Sequence, residues 1–207
     1  MITRRNLLAG ASAGTAVSAL LPRLALSQEI TEKTVFHDPD APVLGNPRGD
    51  VTIVEFFDYQ CPYCKQTHPT VEKVVREDGN VRLVLKDWPV FGGASVFAAQ
   101  AVLGAAQIGR YETAMEALMK TKGKLSQEDV EKVLTGAGLV MKDIAAAVNR
   151  HSAKISGLLD RNYNQALAFN FAGTPSFVIG RSTFAGVLDE KGLIDAIMEA
   201  RAARKKT

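Results

Sequence analysis

Cysteine, histidine and tryptophan are scarce in this chain, at two, three and one in 207 residues. Two cysteines exclude a framework of several disulfides bracing a core-poor domain. They also leave a four-ligand zinc site short of donors, because His37, His68 and His151 form no second close pair. Low-complexity stretches and internal repeats are absent. The longest uncharged apolar run, Leu7–Leu21, falls short of the roughly 20 residues needed to cross a bilayer. What is present is ordinary: 46% hydrophobic and 23% charged residues, sufficient for a sizeable core in one domain, or one domain with an insertion.

Charge of one sign is scarce as well. Residues 1–27 open on a basic segment (Met1–Asn6), pass through the apolar run and end in Ala25-Leu26-Ser27. That is the pattern of an export signal removed after Ser27. Thr3-Arg4-Arg5-Asn6-Leu7-Leu8 resembles a twin-arginine signal, with leucine where phenylalanine is usual, so general secretion stays open. The segment holds three arginines and no acid, which leaves 22 basic and 22 acidic residues in the remainder. Nothing in that balance implies nucleic acid or an anionic surface as partner. The implied destination is the periplasm or exterior, where thiol pairs persist as disulfides.

Residues 28–49, punctuated by Pro39, Pro42, Pro47 and Gly49, predict an extended lead-in. Val51–Phe57 is β-branched and aromatic, a buried strand. A helix is expected from Cys61 to about Arg76, with Pro62 in its first turn and a kink at Pro69. Val81–Asp87 reads as a second strand, completing a βαβ unit. Helices follow at about 94–108, 111–121, 126–137, 141–149 and 152–170, then strands at 176–179 and 183–187 and a last amphipathic helix at about 189–203. The fold class is therefore α/β: residues 50–92 and 171–207 form a thioredoxin-like domain, and 93–170 an inserted helical subdomain.

The two cysteines stand three apart in FFDYQCPYCKQTHP. Three uses compete: half a metal site, a structural staple, or a redox pair. The metal reading lacks partners, although His68 lies one turn beyond Cys64. The staple reading lacks a loop worth closing. The redox reading has chemistry and position in agreement. At a helix N-terminus the partial positive charge and free N–H groups favour a thiolate at Cys61, with Cys64 one turn inside.

EFF followed by CPYCK, with GTPSF far downstream, resembles the DsbA-like family of exported thiol–disulfide oxidoreductases. PVLGNP and FGGAS add to the likeness, which spans about 40–205. The resemblance implies that Cys61 attacks, Cys64 resolves and Pro62-Tyr63 tunes the potential. It also implies a cis-proline at Pro175 against the disulfide, with the Thr174 backbone pairing with an incoming chain. Valine usually stands at the Thr174 position in strong oxidants of the family, and threonine is frequent in isomerases, so the direction of electron flow stays open. Glu55, in a strand that reads as buried, is expected to pair with Lys86 and relay a proton to Cys64; a surface-paired acid on an edge strand is the bland alternative.

These readings converge on a disulfide donor acting on exported, cysteine-containing client proteins. It would need no cofactor, and a membrane redox partner, quinone-linked by resemblance, would recharge it. The alternatives are an isomerase or reductase kept as dithiol, and a copper-binding or chaperone module using the thiols as soft ligands. Trp88, Phe91 and Phe97 are expected as core or groove wall, His68 and His151 as solvated or packed histidines, and Arg201–Lys206 as a solvated helix end. Asp58-Tyr59-Gln60 borders the thiols without an assignable role.

Overall fold

Val51–Phe57 and Val81–Asp87, the two runs richest in β-branched and apolar residues, lie side by side and parallel at the centre of a five-stranded sheet. The computed structural model describes residues 30–205; the expected export signal and its cleavage point lie outside the described residues. In chain order the elements are α1 (Glu32–Phe36), β1 (Val43–Gly45), β2 (Val51–Phe57), α2 (Pro62–Asp78) and β3 (Val81–Asp87). Then come α3 (Gly93–Ala106), α4 (Tyr111–Met119), α5 (Gln127–Gly136), α6 (Met141–Arg150) and α7 (Ser152–Ala168). The chain closes with β4 (Ser176–Ile179), β5 (Ser182–Ala185) and α8 (Glu190–Arg204). The sheet order is β1-β3-β2-β4-β5, antiparallel everywhere except β2 with β3.

Two elements depart from the expected extended lead-in. Thr31 caps α1 through a capping box with Thr34, and β1 pairs with β3 from Val43↔Val84 to Gly45↔Arg82. At Gly45 (φ +67°) an added Cβ would sit 2.6 Å from both Val75 Cγ1 and the Val81 carbonyl oxygen, so only glycine lets this edge approach α2. The second hairpin strand begins and ends slightly earlier than the sequence predicts, at Ser182–Ala185. Helix α2 runs through Pro69 as a single element and ends at Gly79, whose left-handed conformation (φ 69°) caps it with an N–H bond to Val75.

Side chains alternate across the sheet, and each face has its own apolar cluster. One face carries Val51, Ile53, Phe57, Leu83 and Leu85, and packs with Val71 and Val74 of α2 and Leu193 and Ile197 of α8. The same cluster continues into Val102, Met115, Leu118, Val130 and Leu134, so the helical block shares that core. The other face carries Val54, Phe56 and Val84 beneath Ile155 and Leu158 of α7 and Val35 of α1. There Phe56 meets Trp88, Phe169 and Phe171 edge-on, at ring separations of 6.4, 6.3 and 5.5 Å.

Arg201 is not a solvated helix end. It bonds both Asp50 (2.7 and 2.8 Å) and Asp78 (3.0 and 2.8 Å), and Arg204 bonds the Asp50 carbonyl. A guanidinium fork fits two carboxylates where an ammonium would fit one, and this joins the last turn of α8 to the end of α2 and the start of β2.

Candidate active site

β2 ends under the N-terminus of α2, and the turn between them is built on Asp58. Its buried carboxylate accepts from Gln60 N (2.7 Å), Val90 N (2.7 Å), Phe91 N (3.2 Å) and Ser95 Oγ (2.8 Å). Its carbonyl accepts from Cys61 N at 3.1 Å. Gln60 continues the link, donating to Ser95 Oγ (3.0 Å) and accepting from Leu125 N (2.8 Å). Asp58 and Gln60 are thus positioning residues that sequence reasoning left unassigned. The only local signal was an aspartate two residues before Gln60, as in an Asx turn.

Cys61 is the N-cap of α2, in extended backbone conformation (φ −70°, ψ 115°), and Pro62 follows at the start of the helix. Its sulfur accepts from Cys64 N (3.3 Å), and its thiol donates to the Thr174 carbonyl (3.2 Å). The Thr174–Pro175 bond is cis, and this loop brings residue 174 against residue 61. Both cysteines are free and buried, whereas Tyr63 between them is 60% exposed.

Environment sets the two thiols apart. A hydrogen bond from the Cys64 thiol is the largest influence on Cys61. With help from Thr174 and the N–H groups of Cys64 and Tyr63, it outweighs burial and draws Cys61 down to about 6. Burial is the largest influence on Cys64. The hydrogen bond to Cys61 and the charge of Glu55 add to it, and that thiol is pushed far above its ordinary value.

Glu55 is fully buried in β2, third of five strands, which rules out the surface-paired alternative. Neither carboxylate oxygen has a hydrogen-bond partner. Burial lifts its pKa to about 7 against the opposing influence of His68, and the charges of Cys61 and Glu72 add to the rise. The expected Glu55–Lys86 pair does not form. The register sets Glu55 against Leu85 and Lys86 against Phe56, so the two side chains leave the sheet on opposite faces. Lys86 instead meets Asp38 at 3.7 Å and the Thr34 carbonyl at 3.5 Å, on the α1 and α7 side. Burial, the largest cause, brings its pKa down to about 8.

His68 is packed rather than solvated. It lies one turn beyond Cys64, 3% exposed, with Nε2 2.7 Å from Glu116 and 3.7 Å from Glu72. Burial lifts Glu72 to about 7, and the adjoining Glu116 adds to the rise. Burial would raise Glu116 too, but hydrogen bonds with Glu72, His68 and Lys120 hold it down at about 2. These three side chains bring potential ligand atoms within 4.8 Å of one another; His68 Nε2 and Lys120 (2.9 Å) both engage Glu116, whereas His68 Nδ1 is buried without a hydrogen-bond partner. Trp88 is core, Phe97 half-buried, and Phe91 exposed at 53% beside the thiol turn.

Chemically, the arrangement holds a sulfur whose anion is favoured at a helix cap, a second sulfur one turn inside that keeps its proton, and a buried carboxyl nearby that titrates near neutrality. Residues 37–199 match the family model described as Thioredoxin. The chain belongs to the thioredoxin family. Among solved thioredoxin-fold structures, a thioredoxin-like oxidoreductase from Silicibacter pomeroyi DSS-3 is 39% identical with a TM-score of 0.80, over 84% of this chain and 99% of that one. Among curated relatives, the thiol:disulfide interchange protein DsbA of Pseudomonas aeruginosa is 28% identical across 98% of this chain and 100% of its own length. A Na(+)/H(+) antiporter NhaA 3 of Salinispora tropica is 26% identical over 88% of this chain, but this thioredoxin-family chain spans only 28% of the antiporter's length.

Proposed function

We propose that this thioredoxin-family protein is a thiol–disulfide oxidoreductase that donates disulfides to exported proteins. The observation that carries the reading is the asymmetry of the pair: Cys61 drawn down to about 6 while Cys64 stays protonated. A thiolate that is stable once expelled is a good leaving group, and its stability favours the reduced enzyme, which makes the oxidised enzyme a strong oxidant. A client thiolate attacks Cys61 in the Cys61–Cys64 disulfide, and Cys64 leaves and takes a proton. The client's second thiolate then attacks its own sulfur in the mixed disulfide and expels Cys61 as thiolate. The client gains a disulfide, the enzyme becomes a dithiol, and a membrane redox partner removes the two electrons. Glu55, buried beneath Cys64, is the group that supplies or accepts the Cys64 proton. Among the described residues no helix is long and apolar enough to cross a membrane, and the proposed location is the periplasm.

Equilibration with a glutathione series tests the direction. The potential should lie well above the roughly −270 mV of thioredoxin and toward the roughly −120 mV of a strong oxidant. A value at or below the thioredoxin level overturns the donor reading. One observation favours a second reading, as isomerase or reductase: the residue before the cis-proline and against Cys61 is Thr174, the residue type that the family resemblance associates with isomerases. Reactivation of a scrambled disulfide protein, faster than oxidation of a reduced peptide, would select it.

A further inference from the structure

Beside the nucleophile lies a groove of about 520 Å³ that the thiol chemistry does not use. Gln60 and Pro62, the two neighbours of Cys61, form one wall; Phe91, Lys65, Lys122 and Lys124 contribute to the rest. None of the residues lining it is a carboxylate. None of the three lysines forms an ion pair among the described residues, although the buried Asp58 carboxylate attracts Lys65 from further off. Lys65 Nζ is spent on neutral acceptors, the Thr121 hydroxyl (2.8 Å) and the Gly123 carbonyl (3.3 Å). Lys122 and Lys124 have no ion-pair partner among the described residues, although Lys120 just before them is paired with Glu116. The remainder of the chain after its first 27 residues is balanced at 22 basic against 22 acidic, so this is a local concentration of charge.

An open groove lined by cations raises the local concentration of anions and steers them inward. Phe91 supplies an exposed apolar surface in the same groove, and Tyr63 and Val90 stand exposed in the chain segments on either side. The groove starts one residue from Cys61, whose thiol meets the Thr174 carbonyl. We propose that it holds the client, selecting extended segments that carry carboxylates and an apolar side chain within a few residues of the cysteine that attacks Cys61. This deepens the donor reading above and rests on it: it names the class of segment that reaches the sulfur first.

The test uses the oxidised full chain and two reduced dithiol peptides, identical except that glutamates in one are lysines in the other at the positions flanking the cysteine. The acidic peptide should be oxidised with a kcat/KM about tenfold higher, chiefly through KM, and the advantage should shrink as salt rises. Lys122→Glu/Lys124→Glu, with its fold checked by circular dichroism, should reverse the order of the two peptides. Equal rates for the two peptides with the native chain overturn the proposal. So does an acidic preference that persists undiminished in the folded double variant. A small neutral dithiol serves as control: failure to oxidise it at all would count against the redox reading itself, and not against the groove.

Discussion

Cys61 and Cys64 are separated by one helical turn, and what distinguishes them is which donors reach each sulfur. Cys61 collects helix N–H groups and the Cys64 thiol, whereas Cys64 has burial and a carboxyl beneath it. Alkylation of Cys61, followed by mass spectrometry so that Cys64 is not counted, should therefore slow as pH falls through about 6. Cys64→Ala removes the largest of the lowering influences and should move the midpoint up toward the ordinary thiol value of about 8.5. A native midpoint already at that ordinary value overturns the asymmetry. Glu55 gives a second prediction, in two parts. The folded chain holds its proton to about pH 7 and the unfolded chain releases it near 4.5, so stability falls as pH rises across that window. Glu55→Gln should thus be more stable than the native chain by about 3 kcal/mol at pH 8 and no more stable at pH 4. In the same variant, Cys64 attack on a mixed disulfide at Cys61 should slow about 100-fold above pH 7; an unchanged rate from pH 5 to 9 would end the relay idea. The cysteine pair and the oddness of an acid in VTIVEFF were legible in the sequence. That Lys86 does not pair with that acid was not, because strand spacing says nothing of register parity, and one residue of parity separates Leu85 from Lys86.

Among the elements, α2 does the most to place chemistry, and each of its ends is fixed by a different device. Cys61 caps the start, so the proposed nucleophile and the helix terminus are one residue. The far end turns at Gly79 and is held by Arg201, which bridges Asp78 to Asp50. Arg201→Met keeps the aliphatic stem and loses both carboxylates. It should cost about 1 kcal/mol at low ionic strength, because the three side chains are 20–34% exposed and partly screened. The loss should diminish in high salt, and thermal melts at two salt concentrations measure it. A loss that does not change with salt would point to packing of the stem. Sequence periodicity placed β2, β3 and β4 with their observed bounds, since these runs are apolar enough to declare themselves. It missed α1 and β1, where Pro39, Pro42 and Pro47 read as loop. β1 exists because β3 offers it an edge, and that long-range pairing leaves no local mark.

On the scale of the whole molecule, the sheet separates two buried charges and treats them differently. On the thiol side Glu55 is left without a hydrogen-bond partner and can titrate. Across the sheet Lys86 is held by Asp38, which Arg161 grips at 2.8 and 3.0 Å while also reaching Asp40 at 2.7 Å. Burial would raise Asp38, but these partners hold its carboxyl below the usual range, so it stays charged beside Lys86. That network, with Gln165 bonded to the Thr34 carbonyl, fastens residues 31–42 to α7 and so closes the second face of the core. Asp38→Asn leaves Lys86 buried without a counter-charge and should destabilise the fold by about 3 kcal/mol. Adding Lys86→Met to it should restore a large part of that loss, since the pair would then be apolar against neutral. Because Lys86 faces away from the thiols, Lys86→Met should leave the pH dependence of Cys64 attack where it was, whereas Glu55→Gln removes it. Denaturant melts of the two single variants and the double, with the resolution rate measured alongside, separate structure from chemistry. If Lys86→Met moves the rate profile as Glu55→Gln does, charge is coupled through the sheet and the two faces are not independent.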